Sequence, residues 1–408
     1  MRLKDIANIN PAYTGPDLGD QLVSFSPMEC LRYDSLKPIT ISFSEAKGKY
    51  AFFKDNDILF AKVTPCFENQ NIAIANNLVN GIGFGSSEIN VLRLKSDASL
   101  RYMFYVICSN RFYNTGCSSM CGVGGLKRIN PRAVSTFEFT MPSLAEQEAI
   151  AAYLDKECEK IGRKIELLER KADAYSRLRR SLINRAVTRG LDPNVSLKPS
   201  GNNWIGDIPQ HWGYERVEKY FHNNTSYNKD FQYKHAFKFF KGTIIHKDET
   251  FEEDEYQDTY EKYTIVEPND IIINGLNLNY DLKSMRVGKV TENGIITSAY
   301  IVLRPYNNVC SDFFNYLFKA FDYRKFFHGM GKGIRLTLSF NELRYFEIPI
   351  PPIDEQKKIA AYLDEKCAKI DAILEKINTE VERLKELKRS LINEVVTGQR
   401  AIDTESHS

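Results

Sequence analysis

Histidine is missing from the first 210 residues; all six in the chain come later. A Ser/His/Asp catalytic set therefore cannot be assembled from the N-terminal half. No Asn/Asp-Pro-Pro-Tyr/Phe loop for adenine methylation is present, so the chain does not methylate by itself. No stretch approaches the roughly 18 consecutive apolar residues of a membrane span, and Met1 to Asn10 holds no apolar core of a secretory signal. Eight cysteines stand at irregular spacings, with Cys117 and Cys121 four apart, which suits neither a zinc site nor a disulfide framework. Reduced thiols in a cytoplasmic protein are expected. Gly329-Met330-Gly331-Lys332-Gly333 lacks the spacing and the Ser/Thr of a phosphate-binding loop. Net charge is only +2, which by itself does not announce a nucleic-acid binder.

What the chain does contain is a long self-match. From Pro142 it reads P-S-L-A-E-Q-E-A-I-A-A-Y-L-D, and from Pro351 P-P-I-D-E-Q-K-K-I-A-A-Y-L-D. The match runs without a gap through Cys158/Cys367 and Ile161/Ile370 to S-L-I-N at Ser181 and Ser390; of 49 positions in 142–190, 21 are identical at an offset of 209. That period is far too long for a solenoid, so the chain is a tandem of two units, each a variable body followed by a shared rod.

Both rods read as helices. From Glu146 no proline occurs for more than 40 residues, and Ala, Leu, Ile, Glu, Lys and Arg dominate. Pro142 stands just ahead, where a helix starts but does not continue. Apolar residues recur at alternating steps of four and three: Ile161, Ile165, Leu168, Ala172 and Tyr175, a break at Arg179, then Leu182. The second rod repeats this with Ile370, Leu374, Ile377, Val381 and Leu384, a break at Lys388, then Leu391. Such alternation is a coiled-coil seam. A helix of about 40 residues extends about 60 Å and needs a partner in water. The other rod is the natural partner, laid antiparallel because a large body intervenes; a parallel dimerisation helix used twice is the alternative.

The bodies read as strands and turns with one main helix each. In the first, Asp57–Val63 and Glu88–Leu94 are strand patterns, a helix runs from Leu100 to about Asn114, and Gly122-Val123-Gly124-Gly125 precedes Lys127 and Arg128. In the second, Asn269–Asn274 and Thr297–Arg304 are strands, a helix runs from Asp312 to Phe327, and Gly331-Lys332-Gly333 precedes Arg335. The offset of 209 still holds at Gly122/Gly331 and Phe137/Phe346, but the interiors have diverged more than the rods. A common frame carrying two unlike readers would leave that contrast. Asp248 to Glu261 holds eight carboxylates and no Lys or Arg, read as a solvated loop. The Pro/Gly/Asn-rich segment 191–213 is a connector, with Trp204 and Trp212 expected to dock it on the second body. The expected fold class is α+β: two similar mixed α/β domains separated by two long helices in an antiparallel intramolecular coiled coil, with pseudo-two-fold symmetry. The domains are 1–141, rod 142–190, connector and second domain 191–350, rod 351–400, and a disordered tail 401–408.

The motif P-P-x-x-E-Q-x-x-I-A-x-Y-L-D…S-L-I-N-x-x-V-T in the rods, with W-I-G-D-I-P-x-H-W in the connector, resembles the specificity subunit (HsdS) of type I restriction–modification systems. D-I-L-F-A-K-V-T-P-C-F-E-N and L-N-L-N-Y-D-L-K-S-M-R-V-G look like its target recognition domains. Before the first body the W-x-G-x-I-P lead-in is absent, so that body is expected to dock slightly differently. The resemblance implies that each domain reads one half of a split site on double-stranded DNA while the coiled coil fixes the spacing. It also implies two methyltransferase subunits (HsdM) carrying S-adenosylmethionine and two motor-nuclease subunits (HsdR) using ATP and Mg2+, with no cofactor or metal on this chain, no catalysis by it and no membrane.

Reading bases needs Arg, Lys, Asn or Gln aimed at base edges. The candidates are Lys62, Thr64, Lys127, Arg128 and Asn130 in the first body, and Asn277, Asn279, Lys283, Arg286, Lys332 and Arg335 in the second. For each singly, an ordinary solvated role is the competing reading. A two-domain scaffold or ligand-binding protein unrelated to DNA would show the same rods, but would not need basic Gly loops in both bodies.

Overall fold

The computed structural model of the chain describes all residues except 96, 97, 124, 241, 248–256, 281, 283 and 403–408. Most of the acidic run and of the tail thus lies outside the described residues. The chain divides into two compact units: Met1–Glu169 with Asn378–Ser408, and Arg170–Ile377. Each long helix, Leu144–Arg189 and Ile353–Val396, contributes one end to each unit.

In the first unit a four-stranded antiparallel sheet has the order Ala7–Ile9, Ile89–Leu94, Ile58–Ala61, Ile72–Ile74. In the second the order is Phe221–Asn223, Ile301–Pro305, Ile271–Ile273, Val287–Lys289, again antiparallel. The central strands, Ile58–Ala61 and Ile271–Ile273, are buried at every position, as a strand covered on both faces demands. Both are entered through the same device. Asp57 accepts from the Lys54 amide at 2.8 Å and forks with Arg93, whose Nη2 lies 2.7 Å from Oδ2. Asp270 accepts from the Glu267 amide at 2.9 Å and forks with Arg304 at 2.8 Å. The aspartates are buried, the arginines only partly so, and bidentate pairing supplies the acceptors' missing solvation.

The expected first-body helix is two, Leu100–Cys108 and Asn110–Ser118. Ser109 adopts extended backbone between them, and its hydroxyl accepts from the Phe112 amide, an N-cap in mid-run. In the second body the helix ends at Tyr323, and Lys325 takes a positive φ of 59° before a short 3-10 turn.

The repeated letters of the rods have structural roles. Gln147 is buried; its Nε2 donates to the Pro142 carbonyl at 2.9 Å, and its Oε1 accepts from the Ser99 amide at 3.0 Å. Gln356 does the same with Pro351 and Cys310, at 2.9 and 3.0 Å. Each glutamine thus clips the start of a rod to the start of the body's main helix. The Tyr105 hydroxyl donates to Asp155 at 2.6 Å, and Tyr316 to Asp364 at 2.7 Å. Burial pushes both phenols above their ordinary pKa. The Glu146 carboxylate closes on Ser143, accepting from its amide at 2.9 Å and its hydroxyl at 2.7 Å.

The rods pair antiparallel within each unit. In the first, Lys164 meets Glu380 at 2.9 Å, while Ala151, Leu154 and Cys158 share a core with Leu391, Ile392 and Val395. In the second, Arg179 meets Asp371 at 3.3 Å, while Ile183, Ala186 and Val187 share a core with Ile359, Leu363 and Cys367. Every seam residue named from the sequence is buried or half-buried. The polar breaks are anchors on the bodies: Arg179 donates to the Tyr323 hydroxyl at 2.9 Å, and Lys388 lies 4.2 Å over the Tyr33 ring. In the connector, Trp212 is buried edge-on to Phe313; half-exposed Trp204 packs on Phe326 and accepts from Arg324 through its carbonyl. Of the eight free cysteines, Cys108, Cys158 and Cys367 are buried, and Cys121 is exposed.

Because Asp57 and Asp270 do the same work, Asp57→Ala and Asp270→Ala should each destabilise the protein by about 3 kcal/mol, leaving an arginine fork unpaired. Denaturant unfolding of the full chain measures this, and a change below about 1 kcal/mol in either variant would contradict the role.

Candidate nucleic-acid interface

In the first unit two segments meet at the end of the buried strand Ile58–Ala61. One is Lys62 to Thr64. The other is a two-stranded hairpin, Cys121–Val123 against Leu126–Arg128, with Gly122 opposite Lys127 and Val123 opposite Leu126. Gly122 has φ +150°, and a Cβ there would lie 2.2 Å from the Leu126 carbonyl oxygen, so only glycine lets the hairpin close. Thr64 locks the two segments together. Its hydroxyl donates to the Gly125 carbonyl at 2.7 Å and accepts from the Lys127 amide at 2.9 Å, while the Thr64 amide donates to the Lys127 carbonyl at 2.9 Å. The Ile129 amide donates to the Lys62 carbonyl at 2.9 Å.

Lys127 and Arg128 are exposed on this hairpin. Arg128 forks onto Glu88 at 2.7 Å, and that hydrogen bond holds the Glu88 carboxyl below its ordinary pKa. Among the described residues Lys127 has no carboxylate partner. Asn130 is exposed, but its Oδ1 is committed: it accepts from the Arg132 amide at 2.9 Å and caps the short helix Pro131–Ser135.

The second unit repeats the construction with different residues. Past the strand Ile271–Ile273 the chain runs through Gly275 to Tyr280 beside a tight loop closed by Lys332 and Thr337, whose backbones bond mutually at 3.0 and 2.9 Å. The two segments are joined by Leu278 N–H to the Leu336 carbonyl at 3.1 Å, Leu338 N–H to the Gly275 carbonyl at 2.9 Å, and Asn279 Nδ2 to the Ile334 carbonyl at 3.2 Å. A Cβ at Gly275 would lie 2.2 Å from the Leu338 carbonyl oxygen, which fixes that residue as glycine too. Asn277 is exposed with φ +50°. Lys332 is exposed and pairs with Glu342 at 3.3 Å. Arg335 is exposed and, among the described residues, has no carboxylate partner.

Lys62, Thr64, Lys127 and Arg128 are therefore gathered in one place, as are Asn277, Asn279, Lys332 and Arg335. Arg286 is a correction. It is buried; its Nη1 donates to the carbonyls of Asn274 and Leu276 at 3.2 and 2.7 Å, and its amide donates to Asp322. It braces the Asn277 loop from beneath and has no surface to offer a base. Burial raises the Asp322 carboxyl above its ordinary pKa. Lys283 lies outside the described residues. Apolar residues that charge does not mark stand beside these groups: Val123, Leu126 and Ile334 on the hairpins, and Tyr280 and Leu282 on the second unit's strand-end loop, are all exposed. The available signal was an aliphatic residue set among glycines.

The family model described as the type I restriction modification DNA specificity domain matches residues 1–171 and 206–383, each segment holding one body and the start of the rod that follows it. The chain belongs to that family. It is 35% identical over 160 residues to the Escherichia coli type I restriction enzyme EcoEI specificity subunit, covering 38% of this chain and 27% of that one. It is 37% identical over 152 residues to the Escherichia coli EcoAI specificity subunit, covering 36% and 26%. These matches thus span about a quarter of the length of the curated relatives. A solved chain from work on complex assembly and conformational transition of the type I R-M system shares the fold, with TM-score 0.71 over 98% of this chain and 97% of that one at 16% identity. In the specificity domains of the present chain, the threonine at the strand end is what fixes the first hairpin.

Thr64→Val keeps the shape and removes the hydroxyl. The Lys127 amide should then exchange with solvent about tenfold faster, as losing one hydrogen bond of about 1.4 kcal/mol implies. Amide hydrogen exchange reads this directly, and unchanged protection at Lys127 would show that the hairpin is held otherwise.

Proposed function

We propose that this chain is the DNA specificity subunit of a type I restriction–modification complex, and that each unit reads one half of a bipartite, asymmetric site. The observation that carries the reading is the pairing, in both units, of a strand-end loop with a glycine hairpin bearing exposed cations, in a chain of the DNA specificity family. Lys127 and Arg335 supply charge for phosphates or guanine edges, and Asn277 suits adenine. Unlike residues on like frames give two halves different sequences.

The rods set the spacing. Half-sites met on one face of B-DNA lie about 34–36 Å apart, one helical turn, and unbroken helices resist a change in that distance. The subunit itself is non-catalytic. Two HsdM methyltransferase subunits carry S-adenosylmethionine and methylate adenine N6, taking the base out of the stack into their own pocket. Two HsdR subunits use ATP and Mg2+ to translocate and cut. A repeated exposed position supports two copies: Leu178 and Leu387, at equivalent places 209 residues apart, are both about half exposed on the rods. Among the described residues no helix is long and apolar enough to cross a membrane, and no group of three His, Cys, Asp or Glu is placed to hold a metal ion. A cytoplasmic setting follows from the proposed partners.

Lys332→Ala combined with Arg335→Ala should relax recognition of one half-site only and lower the slope of log K against log salt by about 1 to 2. Binding of the assembled methyltransferase complex to duplexes mutated in either half tests this. Equal relaxation of both halves would overturn the assignment of one unit to one half.

A further inference from the structure

The tips of the two hairpins are apolar. Val123 is 90% exposed and Ile334 95%, more than any other large hydrophobic residue described. Gly, Asn, Asp and Ser are the residues a tight turn favours, and folding gains nothing from an aliphatic side chain left in water. Nor are these tips loosely held. Thr64 clamps the first through the Gly125 carbonyl and the Lys127 amide. Asn279 clamps the second through the carbonyl of Ile334 itself. Leu126 stands opposite Val123 across the ladder and is itself 57% exposed, giving the first tip an apolar flank. In both units the apolar tip lies within a few residues of exposed cations, Lys127 and Arg128 in one, Lys332 and Arg335 in the other. A branched aliphatic side chain on a fixed stalk between positive charges suits a polyanion that also carries small apolar groups.

Duplex DNA carries one such group where a narrow probe reaches it: the C5-methyl of thymine in the major groove, which admits a two-stranded ribbon. We propose that Val123 and Ile334 are specificity-determining apolar contacts, each packing on a thymine C5-methyl in the half-site its unit reads. This rests on the DNA-reading function above and adds to it which chemical group the tips recognise. Lys and Arg position the hairpins, and the tips separate thymine from cytosine at one place in each half.

The test uses the methyltransferase complex assembled with the full chain and a duplex carrying its target. Each thymine is replaced in turn by 2′-deoxyuridine, which removes only the methyl. One thymine in each half should be sensitive, weakening wild-type binding about fourfold, the value of one buried methyl. Val123→Ser should abolish sensitivity in one half and leave the other intact, Ile334→Ser the converse, with no change in melting temperature for either exposed site. If the wild-type complex binds its target but no deoxyuridine position matters, or if both variants keep the wild-type pattern, the inference fails while the function stands. If 2-aminopurine beside the site brightens on binding and dims in the variants, the tips are wedges between bases and the methyl contact is wrong. If the variants lose the methyltransferase subunits instead of discrimination, the tips face protein and the inference is overturned. A complex with no preferred duplex would sink the function itself.

Discussion

Neither body is covered by a single rod. Each is packed against the start of one helix and the end of the other, and this shared apolar junction is the constraint on which the rest depends. In the first unit Leu154 and Cys158 from the beginning of one rod meet Ile392 and Val395 from the finish of the other; in the second, Leu363 and Cys367 meet Ile183 and Val187. Each such leucine, isoleucine or valine contributes about 1.5–3 kcal/mol on burial. The S-L-I-N letters at the end of each rod therefore serve the junction as much as the seam, since Ile183 and Ile392 are both buried. A change at one end of a rod is felt in one unit, and a change at the other end in the second.

On this junction rest polar devices repeated in kind. The glutamine clip, the tyrosine–aspartate bond and the buried aspartate–arginine fork occur in both units with nearly equal distances. They fix the body's main helix and central strand, and so fix the point where the strand-end loop leaves the sheet. Beyond that point the two units part company. Thr64 locks one hairpin by its hydroxyl, whereas Asn279 and the backbone of Leu278 and Leu338 lock the other. Under the proposed function, equal frames and unequal tips serve two different targets.

Much of this frame was legible in the residues, and the reason is periodicity. The rods announced themselves because a four-three seam and a gapless offset of 209 survive any surface change. The central strands were found by their apolar runs, with N-terminal ends trimmed by one to four residues in the fold and C-terminal ends within two. Ser109 was not foreseen as a helix break, because its cap needs only one hydroxyl and leaves no periodic trace. Arg179 and Lys388 read as flaws in the seam, and their aromatic partners on the bodies could not be known from spacing. Charge and nearby glycines picked out Lys127, Arg128, Lys332 and Arg335, which the fold leaves exposed on the two loops. Charge failed for Arg286, which turns inward to satisfy carbonyls of its own loop. It was also silent about Val123 and Ile334, whose exposure is a property of the hairpins.

Under the proposed function, one polypeptide presents two unlike readers to the two halves of a split site. Single-molecule sequencing of methylated adenines in host DNA, with and without this gene, tests it most directly. The expected result is one gene-dependent motif of two short specified blocks separated by a spacer of constant length and free sequence. A gene-dependent motif that is a single contiguous block, or one whose spacer varies in length, would contradict it.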